Sequence, residues 1–590
     1  MRSPRRACLL HCSTRKNAAS CKKRVGVNWV SSYYASRWRG YNCRVTESRL
    51  KVFFRVLAIA LGSAETIAAR NSTGPDSRSY LEVARAYLRH DWAMAVNAYW
   101  SPLYSWLSAI VLGVTHPSWR WEYPTIHAMN FMIYLAAIAA FEFFWRGIQR
   151  SESGVPNLIL WVLGYSLFIW LTVGYLSMTG PDLCVETITL LIAGLVVRIK
   201  NNEETKHFVW LGITLAVGYF AKAVLFPMAF VFLGVLLMAR VPPRKIAWTA
   251  VIFLVLSAPL ILLLSREKHH LTFSESGPLT LAWSNWNIPI RNWQGQPAGS
   301  GTPIHPTRQI HQHPAVFEFN GPIRASYPPW YDPSYWNEGL RFRFDAGVVL
   351  KHAAHNLTRI LSYFLQPKVW ILAIFVLAAL SSRSSFAGIA TDWFLLLPAI
   401  AAFAMYSLTF AESRYMPAWE MLVWAAFLFG LRIRKEPAKR ILPWLAGGTA
   451  AVMLLSSANG VRAEFVYGRH DDATSEYRIA EELQQLGVSE GEKVAAIGFD
   501  NDAHWAYLDR LSIIAEIDAD QTCEFWSAIP ATQQEILNEF RHAGASLVVA
   551  RVNSGMRSTS SANPPDLAAC AHPSAGWEKL PDGNLVYLLK

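Results

Sequence analysis

Apolar stretches of about twenty residues recur along this chain, and they constrain its fold more than any other feature. A hydrocarbon core about 30 Å thick is crossed by roughly 20 residues of helix. On that measure eleven candidate spans fall near 50–69, 124–145, 157–178, 182–199, 207–221, 223–239, 246–264, 367–382, 391–410, 415–432 and 440–458. Lys222 divides two short spans that are nearly continuous. Charged residues are only 16% of the chain, against about a quarter in a soluble globule.

Orientation follows from Lys and Arg in the short loops, which concentrate on the cytoplasmic side. The arm before the first span is strongly basic and has no Asp or Glu through residue 46, which places the N-terminus inside. Alternating from there, the inside loops are RGIQR (146–150), RIKNNEETK (198–206), RVPPRK (240–245), SSRSS (382–386) and RIRKEPAKR (432–440), and every one is basic. The net charge of +13 is therefore mostly a consequence of topology, and no nucleic-acid partner is expected. The arm (1–49) reads as a transit peptide, a disordered segment or an over-extended start.

The opposite loops include two large external regions, 70–123 and 265–366. The second is rich in Pro, Gly, Trp and His, as in YPPWYDPSYWNEG (327–339), and reads as long and irregular. The tail (459–590) follows the membrane domain (50–458) on the same outer side. It alternates helical and strand patterns: YRIAEELQQLGV (477–488) as an amphipathic helix, KVAAIGFD (493–500) and SIIAEID (512–518) as buried strands, and 535–552 as helix then strand. The expected fold is thus a polytopic α-helical membrane protein of about eleven spans with an external α/β domain. That domain lacks a Gly-rich phosphate loop. Of seven cysteines, only Cys523 and Cys570 share a compartment in which a bridge could form. Cys8, Cys12, Cys21 and Cys43 lie in the arm, and Cys184 lies in an apolar stretch.

Four polar segments fall on the outer face. Pro75-Asp76 opens an amphipathic helix too short to span, expected at the interface with Trp92 and Trp100 near the headgroups. Asp76 at its head reads either as a helix cap or as an anion held by the helix dipole. Asp182 and Glu186 stand four apart at the start of a span, so both carboxylates share one helix face. Buried acids there need partners or a wet cavity. Lys222 needs an anionic partner or ligand, unless its stem carries the ammonium to the interface. In Glu412-Ser413-Arg414-Tyr415 the plainest reading is an ion pair between Glu412 and Arg414. His305, His311 and His313 have no carboxylate or Cys at ligand spacing, so no metal is expected there. Asn71 and Asn356 begin external glycosylation sequons.

GPDSRSYLEVARAYL, WSPLYSWL, TGPDLCVE, KAVLFP and ESRY together resemble the GT-C superfamily of membrane glycosyltransferases, in its protein-mannosyltransferase-like and aminoarabinose-transferase-like branch. The resemblance covers roughly 50–460. It implies a sugar donor carried on a polyprenyl phosphate, transfer outside the cytoplasm, and a multi-pass protein of the bacterial inner membrane with its tail in the periplasm. By match to the motif, Asp76 takes the place of the catalytic acidic residue. Transfer needs a base for the attacking hydroxyl and positive charge for the departing phosphate. Lys222, Arg78 and Arg414 are the cations placed to supply that charge. Asp182, Glu186, Tyr80, Glu412 and Tyr415 would line the cavity. A single displacement would invert the anomeric centre. The second acidic residue found in part of the family is Ser77 here, which weakens any ground for a divalent metal, and no cofactor is expected. The acceptor is a lipid, glycan or protein.

Two other classes fit parts of the pattern. A transporter or flippase of a lipid-linked solute would explain the many spans, but transporters place ionisable groups near the midplane rather than at one boundary. A non-catalytic scaffold would make the tail the working part.

Overall fold

Helices account for most of the structure, a computed structural model that describes residues 47–148, 155–365, 388–432, 436–467, 470–552, 570 and 572–589. The basic arm with its four cysteines and the predicted span at 367–382 lie outside the described residues. Residues 59–590 form one compact unit. A helix covers 47–68. It is followed by α1 (Pro75–Leu88), α2 (Leu103–Thr115), α3 (Trp119–Ile148), α4 (Asn157–Thr172), α5 (Asp182–Asn201), α6 (Thr205–Ala221), α7 (Leu225–Met238) and α8 (Pro243–Glu267). After the second large loop come α11 (Trp393–Leu408), α12 (Pro417–Gly430) and α13 (Glu436–Tyr467). Every predicted span among the described residues falls on a helix. Among the described residues, four segments are long and apolar enough to cross a membrane by length and composition: Trp119–Ile148, Asn157–Ser177, Pro243–Glu267 and Pro437–Val466. The count of eleven remains a reading of the sequence.

Close helix packing rests on small residues, as is usual where helices meet in lipid. A Cβ on Gly194 of α5 would sit 2.5 Å from the Phe143 ring of α3, so only glycine lets these two helices approach as they do. Breaks between helices fall where backbone chemistry forces them. Lys222 ends α6 in an extended conformation (φ −158°, ψ 132°), and α7 starts three residues later. Pro417 occupies the first turn of α12, where a missing N–H costs nothing.

The loop 265–366 is more regular than its composition suggests. It holds α9 (Ser276–Trp286), β1 (Arg308–His311), β2 (Val316–Glu318) and α10 (Ala346–Leu365). Its two strands join a seven-stranded sheet with β3 (Lys493–Ile497), β4 (Ser512–Ile517), β5 (Leu547–Ala550), β6 (Trp577–Lys579) and β7 (Leu585–Leu588), in the order β1-β2-β4-β3-β5-β7-β6. β3 pairs parallel with β4 and β5, and the outer pairs are antiparallel. Parallel strands read as continuous apolar runs because both faces are covered. Here α14 (His470–Gln485) and α15 (Pro530–Ala543) contribute to two separate buried clusters, through Ile479 and Leu483 in one and Ile536, Leu537 and Phe540 in the other. Cys523 and Cys570 are bonded, and the buried Cys184 is free.

Two expectations for the loops are corrected. Trp100 is 8% exposed and donates from Nε1 to the Tyr331 carbonyl at 3.0 Å, because the second loop covers it, while Trp92 stays exposed at 60%. Asn356 is buried in α10 and donates to the Ser407 carbonyl at 3.1 Å, so its sequon is not accessible.

Candidate active site

Helix α1 begins with Gly74 as N-cap and Pro75 in the first turn, and the Ser77 hydroxyl closes the capping exchange with Gly74. That leaves Asp76 in the first turn without a capping duty. Its Oδ2 accepts from Arg414 Nη2 at 2.7 Å, and its Oδ1 accepts from Trp330 Nε1 at 3.2 Å. Asp182 is likewise no cap: Pro181 stands at that position, and Asp182 opens α5. Its Oδ1 accepts from Lys222 Nζ at 2.7 Å, and its Oδ2 lies 3.7 Å from Arg414 Nη1. Arg414 belongs to a 3-10 turn, Ser413–Tyr415, just ahead of α12. Four segments far apart in sequence therefore converge on an alternating chain of charges, Asp76–Arg414–Asp182–Lys222.

Aromatic rings frame this chain of charges. Lys222 Nζ lies 3.6 Å from the Tyr415 ring centroid, and that ring stacks on Tyr406 at 5.2 Å. Such a contact holds a cation without neutralising it. Tyr80 packs edge-on against Trp100 and Tyr104 at 5.0 and 5.5 Å. Burial pushes the Tyr80 hydroxyl well above its ordinary range, and the charges of Asp76 and Asp182 push it further. A small cavity of about 10 Å³ opens among Asp182, Glu186, Tyr406, Arg414 and Tyr415, space for about one water. Glu186 lies at its edge and accepts from Thr172 Oγ1 at 2.8 Å. With two carboxylates and two cations, the cluster is close to neutral. It satisfies the requirement that charges at the membrane boundary be paired.

Two of the residues singled out from the sequence do not join this cluster. Arg78, one turn into α1, is fully buried and turned the other way. Its Nη1 donates to the Asn501 carbonyl at 3.1 Å, its guanidinium covers the Tyr327 ring at 5.2 Å, and Nε and Nη2 have no hydrogen-bond partner among the described residues. Residues Asp76 and Arg78 are two apart, which puts them on different faces of a helix. Glu412 does not pair with Arg414, which Asp76 holds; it faces Arg359 of α10 at 4.0 Å. The three histidines also separate: His305 stacks on Tyr335, His311 faces Glu539 and His313 faces Glu524.

Trp330 is the contact the sequence reading missed. It sits in the short helix Pro328–Tyr331, within the YPPWYDPSYWNEG segment. The Ser79 hydroxyl donates to its carbonyl at 2.9 Å, which ties the segment to α1 beside Asp76. A tryptophan after two prolines in an outer loop was the only available signal. At the other end of α1 a larger cavity of about 530 Å³ is lined by Glu82, Arg85, Arg89, Arg324, Lys493 and Arg510. Arg85 and Arg510 there both pair with the buried Glu122.

This arrangement, a bundle of apolar helices with a short helix carrying an acid and a long loop folded over it, is a fold that solved structures share. In particular, the chain is similar to ArnT, an aminoarabinose transferase, from Cupriavidus metallidurans. The apo structure of that protein aligns with a TM-score of 0.55 and 11% identity over 92% of this chain and 98% of that one. Its structure bound to undecaprenyl phosphate aligns at 0.51, also with 11% identity, over 91% and 98%. No protein-family model and no curated protein matches the chain.

Proposed function

We propose that this protein transfers a sugar from a polyprenyl-phosphate donor to an acceptor hydroxyl on the non-cytoplasmic face of a bacterial inner membrane. The observation that carries this reading is the convergence of Asp76, Arg414, Asp182 and Lys222 at one end of the helices. ArnT, with the same fold, binds undecaprenyl phosphate.

In this mechanism the acceptor oxygen attacks the anomeric carbon. Its proton passes to the Asp76 carboxylate, and the bond from the anomeric carbon to the phosphate oxygen breaks. The electron pair leaves with the lipid phosphate, and Lys222 and Arg414 stabilise the charge that develops there. Both cations are held by carboxylates in the free protein. The arriving phosphate competes for them, and release of Arg414 also frees Asp76 to act as base. Trp330 holds the other Asp76 oxygen and so fixes the carboxylate's direction. Asp182 orients Lys222, while Glu186, Tyr80 and Tyr415 line the reaction space. Attack from the face opposite the phosphate gives inversion.

The test uses membranes containing the full chain and a panel of radiolabelled polyprenyl-phosphate sugars. Asp76→Asn should abolish transfer with any donor that the native protein uses, while undecaprenyl phosphate still binds. Retained transfer would overturn the assignment of the base. Absence of transfer from every donor, together with lipid translocation by the native protein, would favour a flippase.

A further inference from the structure

His311, at the end of β1, faces α15 beyond the edge of the sheet, far in sequence from any acid that could serve it. The pairing of β1 with β2 shifts register between Gln309 and His311, and irregularities of this kind re-aim a side chain. The imidazole Nε2 lies 3.1 Å from the His313 carbonyl oxygen, which can only accept, so Nε2 carries the proton. In the neutral ring Nδ1 then presents its lone pair to the Glu539 carboxylate, 3.3 Å from Oε2 and 3.4 Å from Oε1. Two acceptors thus face each other. Glu539 Oε2 is buried and has no hydrogen-bond donor among the described residues. Glu535, one turn earlier on the same face of α15, brings a third acceptor, and the ligand atoms of all three side chains lie within 4.8 Å of one another.

The geometry points to a divalent-metal site made by His311, Glu535 and Glu539, with zinc as the fitting ion. Two donors each about 2.1 Å from a tetrahedral ion stand about 3.4 Å apart, which is the separation of His311 and Glu539. A metal-bound histidine typically donates its other ring N–H to a carbonyl or carboxylate, and the His313 carbonyl fills that place. One nitrogen and two carboxylate oxygens suit zinc and leave a fourth position for water. The ion would fasten the second outer loop, through β1, to α15 near the end of the chain. It is separate from the Asp76 cluster and takes no part in sugar transfer.

The test is metal content and heat stability of the full-length protein in detergent. After chelation and dialysis, the native chain should take up about one equivalent of zinc, with the tetrahedral d–d spectrum of cobalt when cobalt replaces it. Glu535 is exposed, so Glu535→Gln leaves the fold undisturbed. It should weaken uptake by more than the roughly 10–100-fold typical of losing an outer partner, and Glu539→Gln should do the same. Chelation should lower the melting midpoint of the native chain and leave that of Glu535→Gln unchanged. No uptake by the native chain would mean an imidazolium–carboxylate pair only, and uptake surviving in either variant would mean zinc on other histidines. Either result overturns the site.

Discussion

Replacing Lys222 by Met removes the ammonium and keeps most of the side-chain volume, so it isolates the charge proposed to meet the lipid phosphate. In the free protein Asp182 holds that ammonium at 2.7 Å, with the pair 23% and 11% exposed. Binding therefore exchanges one anion for another. A hydrogen bond to a charged group contributes about 1.5–3 kcal/mol, and a partly exposed ion pair given up in exchange subtracts about 0–1 kcal/mol. The net of about 0.5–3 kcal/mol corresponds to binding weakened about 2–150-fold. Undecaprenyl phosphate is the suitable ligand, because it is the product left by any sugar on that carrier. Titrating it into the purified protein, followed by intrinsic tryptophan fluorescence, measures the effect. Asp182→Asn should act in the opposite direction, since it removes the competing anion, and should tighten binding several-fold. If Asp182→Asn weakened binding as much as Lys222→Met did, the pair would be a fixed scaffold and the exchange argument would fail.

Trp330→Phe deletes one donor to Asp76 and keeps an aromatic ring among Tyr99, Trp100 and Trp283. Loss of about 1.5–3 kcal/mol from a charged hydrogen bond should slow kcat by roughly 10–150-fold with lipid-phosphate affinity unchanged, and a fall in affinity alone would contradict the positioning role. Burial pushes the carboxyls of Glu476 and Glu516 up to about 8, with the Asp518 charge adding to the shift at Glu516. The folded chain then holds protons at Glu476 and Glu516 that the unfolded chain releases above about pH 4.5, so stability is full below that value and falls as pH rises toward about 8. Amide exchange in β3 and β4, corrected for intrinsic rates, should therefore show better protection near pH 5.5 than near pH 8. Finally, Cys523→Ser opens a loop of 47 residues and should cost about 4 kcal/mol of stability. An unchanged melting midpoint in oxidising buffer would show that the bond contributes nothing.

The helices were legible because their signal is local, an apolar run of fixed length between basic loops. The parallel strands β3, β4 and β5 were legible for the same reason. β6 was not: two of its three residues are exposed, so it has no apolar pattern to read. β1 has the sequence RQIH and becomes a strand only because β2 supplies a partner. The candidate site divides in the same way. Asp76 and Asp182 stood out from their immediate neighbours, and the Lys222–Asp182 pair fitted the requirement that a margin cation find an anion. The partner of Asp76 could not be read, since Arg414 lies 338 residues away and Trp330 lies 254 away. Arg78 lies away from Asp76 although only two residues separate them, because a helix turns about 200° over two residues.

The sheet also has a history in time. Val316 of β2 pairs with Ile517 of β4, so the β1–β2 hairpin leaves the ribosome about 200 residues before its partner strand does. On the expected topology, the helices between them must be threaded into the bilayer during that interval. Until then β2 offers an unpaired edge, a surface prone to join the wrong strand. Trp330, which donates to Asp76, sits in the same loop. A nascent chain arrested before Ser512 would carry its candidate base and both cations yet lack the finished cover. Emergence of β4 would then be the step that completes the cover over the candidate site.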